Sequence, residues 1–194
     1  MPGFADKLTP DQRWDLINFV LARAAGTLTN ALGPSLTTAA APPLPDFAFE
    51  QRGAQNTLSQ TLKSGPLLLM LFAERAPSAR LQQLMTQKSR LTAAALGVIA
   101  VDLGQSTAKA TPNSGASPPF VVKVSDDVRA TLALFRSKTD GGETDLMLDR
   151  GANVRARWTK DGRRGLADPN TLISDAIRVA SIPVAAANHA GHGE

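Results

Sequence analysis

The chain reads as an α/β protein, a central mixed β-sheet flanked by helices, with an extra N-terminal helix and linker ahead of it. Two observations predict this. Leu67-Leu68-Leu69-Met70-Leu71-Phe72 and Val98-Ile99-Ala100-Val101-Asp102 are apolar runs of strand length, and between them Leu81, Leu84, Met85, Lys88 and Leu91 form a helical face. Strand, helix, strand in that order predicts a parallel pair joined by a crossover. Further on, Asp145–Leu148 and Asn153–Trp158 flank Asp149-Arg150-Gly151-Ala152, a hairpin that adds antiparallel strands.

The elements follow from local chemistry. Thr9-Pro10-Asp11-Gln12 is a capping box, with Thr as N-cap, Pro in the first turn and Gln reaching back. Trp14, Ile17, Val20 or Leu21, and Ala24 then give one apolar face, and Gly26 is the expected stop. Residues 1–25 therefore read as one short piece. Residues 26–44 carry no charge and are rich in Ala, Thr and Pro, so they read as a linker. A coil of that length spans roughly 25 Å and leaves the pieces on either side free to move. The main domain is expected over 45–182. Within it Pro45–Phe49 alternates like a strand, Thr57–Leu62 suits a turn or short helix, and Gly65-Pro66 breaks the chain before the first apolar run. Gln105–Pro119 reads as an exposed loop, Phe120-Val121-Val122 as a short strand and Asp126–Phe135 as a helix. Asp168-Pro169-Asn170 opens a last helix through Ala180, and residues 183–194 read as a flexible tail.

Composition removes several classes of function. At 194 residues, 43% apolar and 20% charged, the chain is globular, and no apolar run approaches the roughly 18 residues that cross a bilayer. It contains no cysteine, which excludes disulfides, thiolate metal sites and a cysteine nucleophile. The net charge of +4 is spread over 21 basic and 17 acidic residues, which does not make a nucleic-acid surface. The densest basic run holds Arg150, Arg155, Arg157, Lys160, Arg163 and Arg164, and it reads as a solvated hairpin rim. His189 and His192 are the only histidines; two imidazoles in a tail hold Cu²⁺ or Ni²⁺ weakly and leave Ser78 without a base. No catalytic residue is assigned. Met70, Met85 and Met147 occupy core-like positions, Trp14 reads as a helix anchor and Trp158 as hairpin packing.

The octapeptide after the first apolar run, Ala73-Glu74-Arg75-Ala76-Pro77-Ser78-Ala79-Arg80, resembles the thioredoxin active-site sequence Ala-Glu-Trp-Cys-Gly-Pro-Cys-Arg. Ala76 and Ala79 stand where that family has its redox cysteines. Over about 135 residues the order of segments is similar to the TlpA/peroxiredoxin branch of the thioredoxin superfamily: Pro45-Asp46-Phe47 resembles its first strand, Phe120–Phe135 its Val-x-x-Asp segment, and Leu146–Arg150 its Phe-Leu-Ile-Asp-Arg hairpin. That branch carries a cis-proline before the hairpin strand. Here Glu143-Thr144 stands in its place, and an ordinary trans loop is expected, since a non-prolyl cis bond costs about 3 kcal/mol. The resemblance implies a redox-inactive domain whose former substrate groove, bounded by Arg75, Pro77, Ser78, Glu143 and Thr144, receives a partner peptide. Arg155, Arg157, Arg163 and Arg164 are the second-choice surface.

Residues 1–20 resemble the end of a class I cytochrome c: Met1-Pro2-Gly3-Phe4 matches its Met-Pro-x-Phe segment, and a capped helix with Trp14-x-x-x-Asn18-Phe19 follows. In that family the Met is an axial haem ligand, which would be Met1. The Cys-x-x-Cys-His attachment site is absent, so this chain holds no haem c; the resemblance implies a longer parent protein that does, similar to fusions of a CopD-type copper-resistance region with cytochrome c. It further implies a periplasmic accessory or docking domain, with a membrane contacted only through the parent's anchor and cytochrome c as the partner in cis. The alternatives are a stand-alone cytoplasmic binding protein of thioredoxin fold, and an enzyme of unrecognised type. Trp14 separates the first two readings: exposed, it marks a helix whose packing partner is elsewhere; buried, a helix native to this fold.

Overall fold

The computed structural model describes residues 7–39, 41–73, 78–104, 120–136, 143–159 and 169–183. Its centre is β3 (Leu67–Phe72), every residue of which is buried. The strand lies between β4 (Gly97–Asp102), paired parallel, and β6 (Glu143–Leu148), paired antiparallel; β5 (Val121–Val122) and β7 (Val154–Thr159) complete the order β5-β4-β3-β6-β7. The predicted parallel unit and the predicted hairpin thus share one mixed sheet, built around the most apolar segment of the chain.

Side chains alternate across the sheet, and each face has its own core. Leu67, Leu69 and Leu71 join Leu58 and Leu62 of α2 (Leu58–Leu62) and Leu132 of α5 (Asp126–Ala133). Leu68, Met70 and Phe72 meet α3 (Ser78–Thr86), α4 (Lys88–Ala93) and α6 (Pro169–Ala180) through Leu81, Leu91 and Leu172. The helical face expected between the two apolar strands is divided between α3 and α4 at Gln87, and Met85 is exposed rather than buried. A small hairpin, β1 (Ala48–Gln51) and β2 (Ala54–Thr57), precedes α2 and turns at Arg52 and Gly53, both at positive φ. Its Glu50 exchanges backbone hydrogen bonds of 2.8 and 2.9 Å with Lys123 beyond β5.

Two expectations about the N-terminal region are overturned. α1 (Pro10–Asn30) begins at the predicted capping box, Thr9 Oγ1 accepting from Gln12 N at 3.2 Å and Thr9 N donating to Gln12 Oε1 at 2.9 Å. It does not stop at Gly26. It buries Ala22, Ala25, Gly26 and Thr29, small residues at i, i+3, i+4 and i+7, where its backbone approaches the end of α5. A Cβ at Gly26 would lie 2.9 Å from the carbonyl carbon of Leu134. The glycine is there for close approach, not as a stop.

Residues 31–44 are not a free coil either. Arg157 N donates to Gly33 O at 3.0 Å, Thr37 N to Arg155 O at 2.8 Å, Val154 N to Pro42 O at 3.1 Å and Leu44 N to Ala152 O at 2.8 Å. The segment is a strap along the edge of β7, satisfying strand amides that β6 leaves unpaired and closing an edge otherwise open to aggregation. Leu44 enters the core beside Phe47 and Ala25. The boundaries expected at 25/26 and 44/45 are therefore continuous with the domain.

Candidate functional site

Where the octapeptide leaves β3, the backbone turns at Ala73 and resumes as α3 at Ser78; Arg75, Ala76 and Pro77 lie outside the described residues. Ser78 and Ala79 open α3, and their side chains are likewise outside the description. Across the sheet Glu143 faces Phe72 and Thr144 faces Leu71 in antiparallel register, with Thr159 of β7 on the other side of Thr144. Glu143-Thr144 is strand rather than loop, and no cis peptide bond occurs among the described residues.

That pairing corrects one groove residue. Thr144, on β6 between β3 and β7, is fully buried, so of this pair it is the half-buried Glu143 that is open to a partner. Next to it Asp145 is also fully buried, opposite Met70 and Trp158. Sequence reasoning missed this carboxylate because it opens an apolar strand and breaks no pattern.

The basic surface is corrected too. Arg155 and Arg157 are only 6% and 7% exposed. Arg155 Nε and Nη2 lie 2.7 and 2.6 Å from Asp149 Oδ2, and Nη1 donates to Ala39 O at 3.0 Å. Asp149 in turn accepts from the backbone amides of Gly151 at 2.8 Å and Asn153 at 2.9 Å. This is a buried ion pair that shapes the hairpin turn and fastens the strap, because guanidinium donors fit a carboxylate and free carbonyls at once. Arg163 and Arg164 lie outside the described residues, as do Met1, His189 and His192.

Chemically, the β3 end offers no thiolate to attack a disulfide or a peroxide, because the chain contains no cysteine. Among the described residues no three His, Asp or Glu side chains gather to hold a metal ion. What the surface does offer is a groove of 840 Å³ between α1, the end of the strap and α5. Its apolar lining includes Phe19, Leu21 and Leu28 of α1, Leu44 and Phe47 of the strap end, and Leu132 of α5. Outside the groove's lining, on the first turns of α1, Trp14 is 64% exposed. The apolar face read from the sequence, Trp14, Ile17, Leu21 and Ala24, is thus turned to solvent, while the small-residue face is docked.

Comparison with solved structures places this architecture. The mitochondrial 2-Cys peroxiredoxin of Plasmodium falciparum superposes with a TM-score of 0.53 at 15% identity, covering 78% of this chain and 100% of that one. The fold is thioredoxin-like. Thioredoxin peroxidase I of Plasmodium yoelii is similar at a TM-score of 0.52 and 15% identity, over 77% of this chain and 98% of its own. A thiol:disulfide interchange protein DsbE of Chlorobium tepidum covers 72% of this chain at 17% identity and a TM-score of 0.49. No protein-family profile and no curated protein sequence matches the chain. The chain is thus a cysteine-free member of a fold whose neighbours are named for thiol chemistry. No helix among the described residues is long and apolar enough to cross a membrane.

Proposed function

We propose that this chain is a redox-inactive thioredoxin-like module that binds a protein partner and catalyses no reaction, working in the bacterial cell envelope as an accessory or docking domain for a cytochrome c or copper-handling system. The observation that carries the reading is a thioredoxin-like sheet in a chain without cysteine; the resemblance of the octapeptide puts Ala76 and Ala79 at the family's cysteine positions. The envelope and cytochrome context rests on the resemblance of residues 1–20, and the exposure of Trp14 supports a helix with a packing partner outside this fold. A periplasmic site is the compartment consistent with that context.

One observation favours the second reading, a stand-alone binding protein: the latter half of α1 is docked on α5 through Ala22, Ala25 and Gly26, as a helix native to the domain would be. The deciding experiment is a blot of native cells with an antibody against residues 45–182, stained in parallel for covalent haem. A membrane-associated, haem-positive band larger than 20.4 kDa is expected. A soluble haem-free band at that mass removes the cytochrome context and leaves the binding module. Turnover of an insulin disulfide by the purified chain would overturn both.

A further inference from the structure

We infer that the groove between α1, the strap end and α5 receives a basic amphipathic helix of the partner protein. The inference deepens the binding-module reading and rests on it. Three features define the occupant. The first is shape: Trp14, Ile17, Leu21, Ala24 and Leu28 alternate at three- and four-residue spacing, the heptad seam of a helix that pairs with another helix. From Trp14 to Leu28 the seam is about 21 Å long, which matches an occupant of about four turns.

The second is area. Along the seam Trp14, Ile17, Leu21 and Leu28 are each 45–64% exposed. At roughly 200 Å² for a freely exposed side chain of this size, they present about 450 Å² of contiguous apolar surface, the size of exposed patch that marks an interaction site on a monomer.

The third is charge. The lining of the groove includes Asp15 of α1, Asp46 just beyond the strap and Asp127 of α5, and among the described residues it includes no Lys or Arg. All three aspartates are exposed, and Asp46 is held in place by Ser59, whose amide and hydroxyl donate to it at 2.9 and 2.7 Å. On a chain of net charge +4 this is a local reversal of sign. A helix with an apolar seam flanked by Lys or Arg satisfies floor and rim together, in the helix-in-groove mode. An acidic helix would meet three like charges, as would an anionic bilayer.

The test uses the full chain and two synthetic 18-residue helical peptides with the same Leu/Ala heptad seam, one with Lys and one with Glu at the flanking positions. Trp14 reports binding through protection from acrylamide. The Lys peptide is expected to bind about tenfold tighter than the Glu peptide at low salt, the difference three exposed ion pairs supply. The gap narrows as salt rises, Asp127→Lys reduces it to about twofold, and Leu21→Asp abolishes binding of both peptides while the far-UV spectrum and melting temperature stay unchanged. Equal affinities, or no protection by either peptide, overturn the inference. So does a concentration-dependent dimer in sedimentation with Trp14 already covered, which makes a second copy the occupant. Two further outcomes overturn it: stronger protection by phosphatidylglycerol vesicles than by the Lys peptide, and protection lost on deleting residues 183–194. None of these bears on haem content or insulin turnover, so the parent reading stands or falls separately.

Discussion

Substituting Gly26 by alanine pits two opposite effects of known size against each other. In an exposed helix the change stabilises by about 1 kcal/mol, because glycine is the poorer helix former. Here the new Cβ would fall 2.9 Å from the Leu134 carbonyl carbon, 3.3 Å from its Cβ, and closer still to its oxygen. The obstacle is backbone at the C-terminus of α5, held by a hydrogen bond from Leu134 N to Thr131 O at 3.1 Å, so it cannot swing aside as a side chain would. The helices must separate instead. A gap of about 0.5–1 Å forfeits a quarter to a half of each contact across it, and Ala25, Leu132 and Phe135 lie in the core there. Overpacking of this kind costs about 1–3 kcal/mol, so the net expectation is a loss of about 1 kcal/mol. For a chain of this size that is a fall of about 2–4 °C in melting temperature. Urea unfolding followed by far-UV circular dichroism measures it, with Thr27→Ala, one residue away on the exposed side, as the propensity control. A gain of about 1 kcal/mol for Gly26→Ala, matching the control, would mean that α1 does not dock on α5 and would refute the reasoning.

Arg155→Met leaves the buried Asp149 carboxylate without its partner and releases the Ala39 carbonyl; a loss of about 3–5 kcal/mol is expected in chemical denaturation, with new proteolysis at 34–41, and a loss below 1 kcal/mol counts against the buried pair. Trp14→Phe should remove the red-shifted, readily quenched emission and leave the blue emission of Trp158, which is 2% exposed; an unchanged spectrum would mean that α1 is covered in solution. Thr57→Ala, at the capping box of α2, is expected to cost about 1 kcal/mol. Asp175 on α6 has its carboxyl raised above 3.8 by burial, with Arg178 opposing. A raised carboxyl lowers stability once the pH exceeds the unfolded value, so Asp175→Asn should be the more stable chain at pH 7, with the gap closing as the pH falls to about 3.8; a variant less stable at pH 7 reverses the sign and refutes it.

What the sequence disclosed was whatever its residues settle locally. β3 and β4 are apolar without interruption because they are covered on both faces, and that pattern is one-dimensional. The capping boxes of Thr9 and Thr57 are set by residues three apart, and both are therefore local in the sequence. The strap was illegible for the opposite reason: Ala, Thr and Pro without charge look like coil, and their order comes from β7 amides more than a hundred residues away. The period of α1 was correct and its buried face was not. Large apolar residues are the usual sign of a core face, but close helix approach selects small ones, and Ala22, Ala25, Gly26 and Thr29 carried that signal at i, i+3, i+4 and i+7. In the octapeptide after β3 the alanines are plain in the sequence, whereas the burial of Thr144 depends on β6 lying inside the sheet.

The same distinction governs charge. A pI near 9.9 invites a search for an acidic partner at the arginine-rich hairpin. Two of those arginines are committed inward: Arg155 neutralises Asp149 and holds the strap, and Arg157 is buried with its amide bound to Gly33. Removing cations from the surface does not change the count of charges, but it changes where the field points, and at α1 the groove is lined by carboxylates over an apolar floor. The two facts meet in the strap. The ion pair bonds it at Ala39, three residues before the Pro42–Phe47 segment that forms one wall of the groove, so loss of the pair is expected to loosen that wall. Arg155→Met should therefore weaken the Lys-flanked peptide as well as the fold, and it should do so in a titration at a denaturant-free temperature where the variant is still fully folded. Unchanged peptide affinity in a folded Arg155→Met chain would separate the strap from the groove wall and break the link.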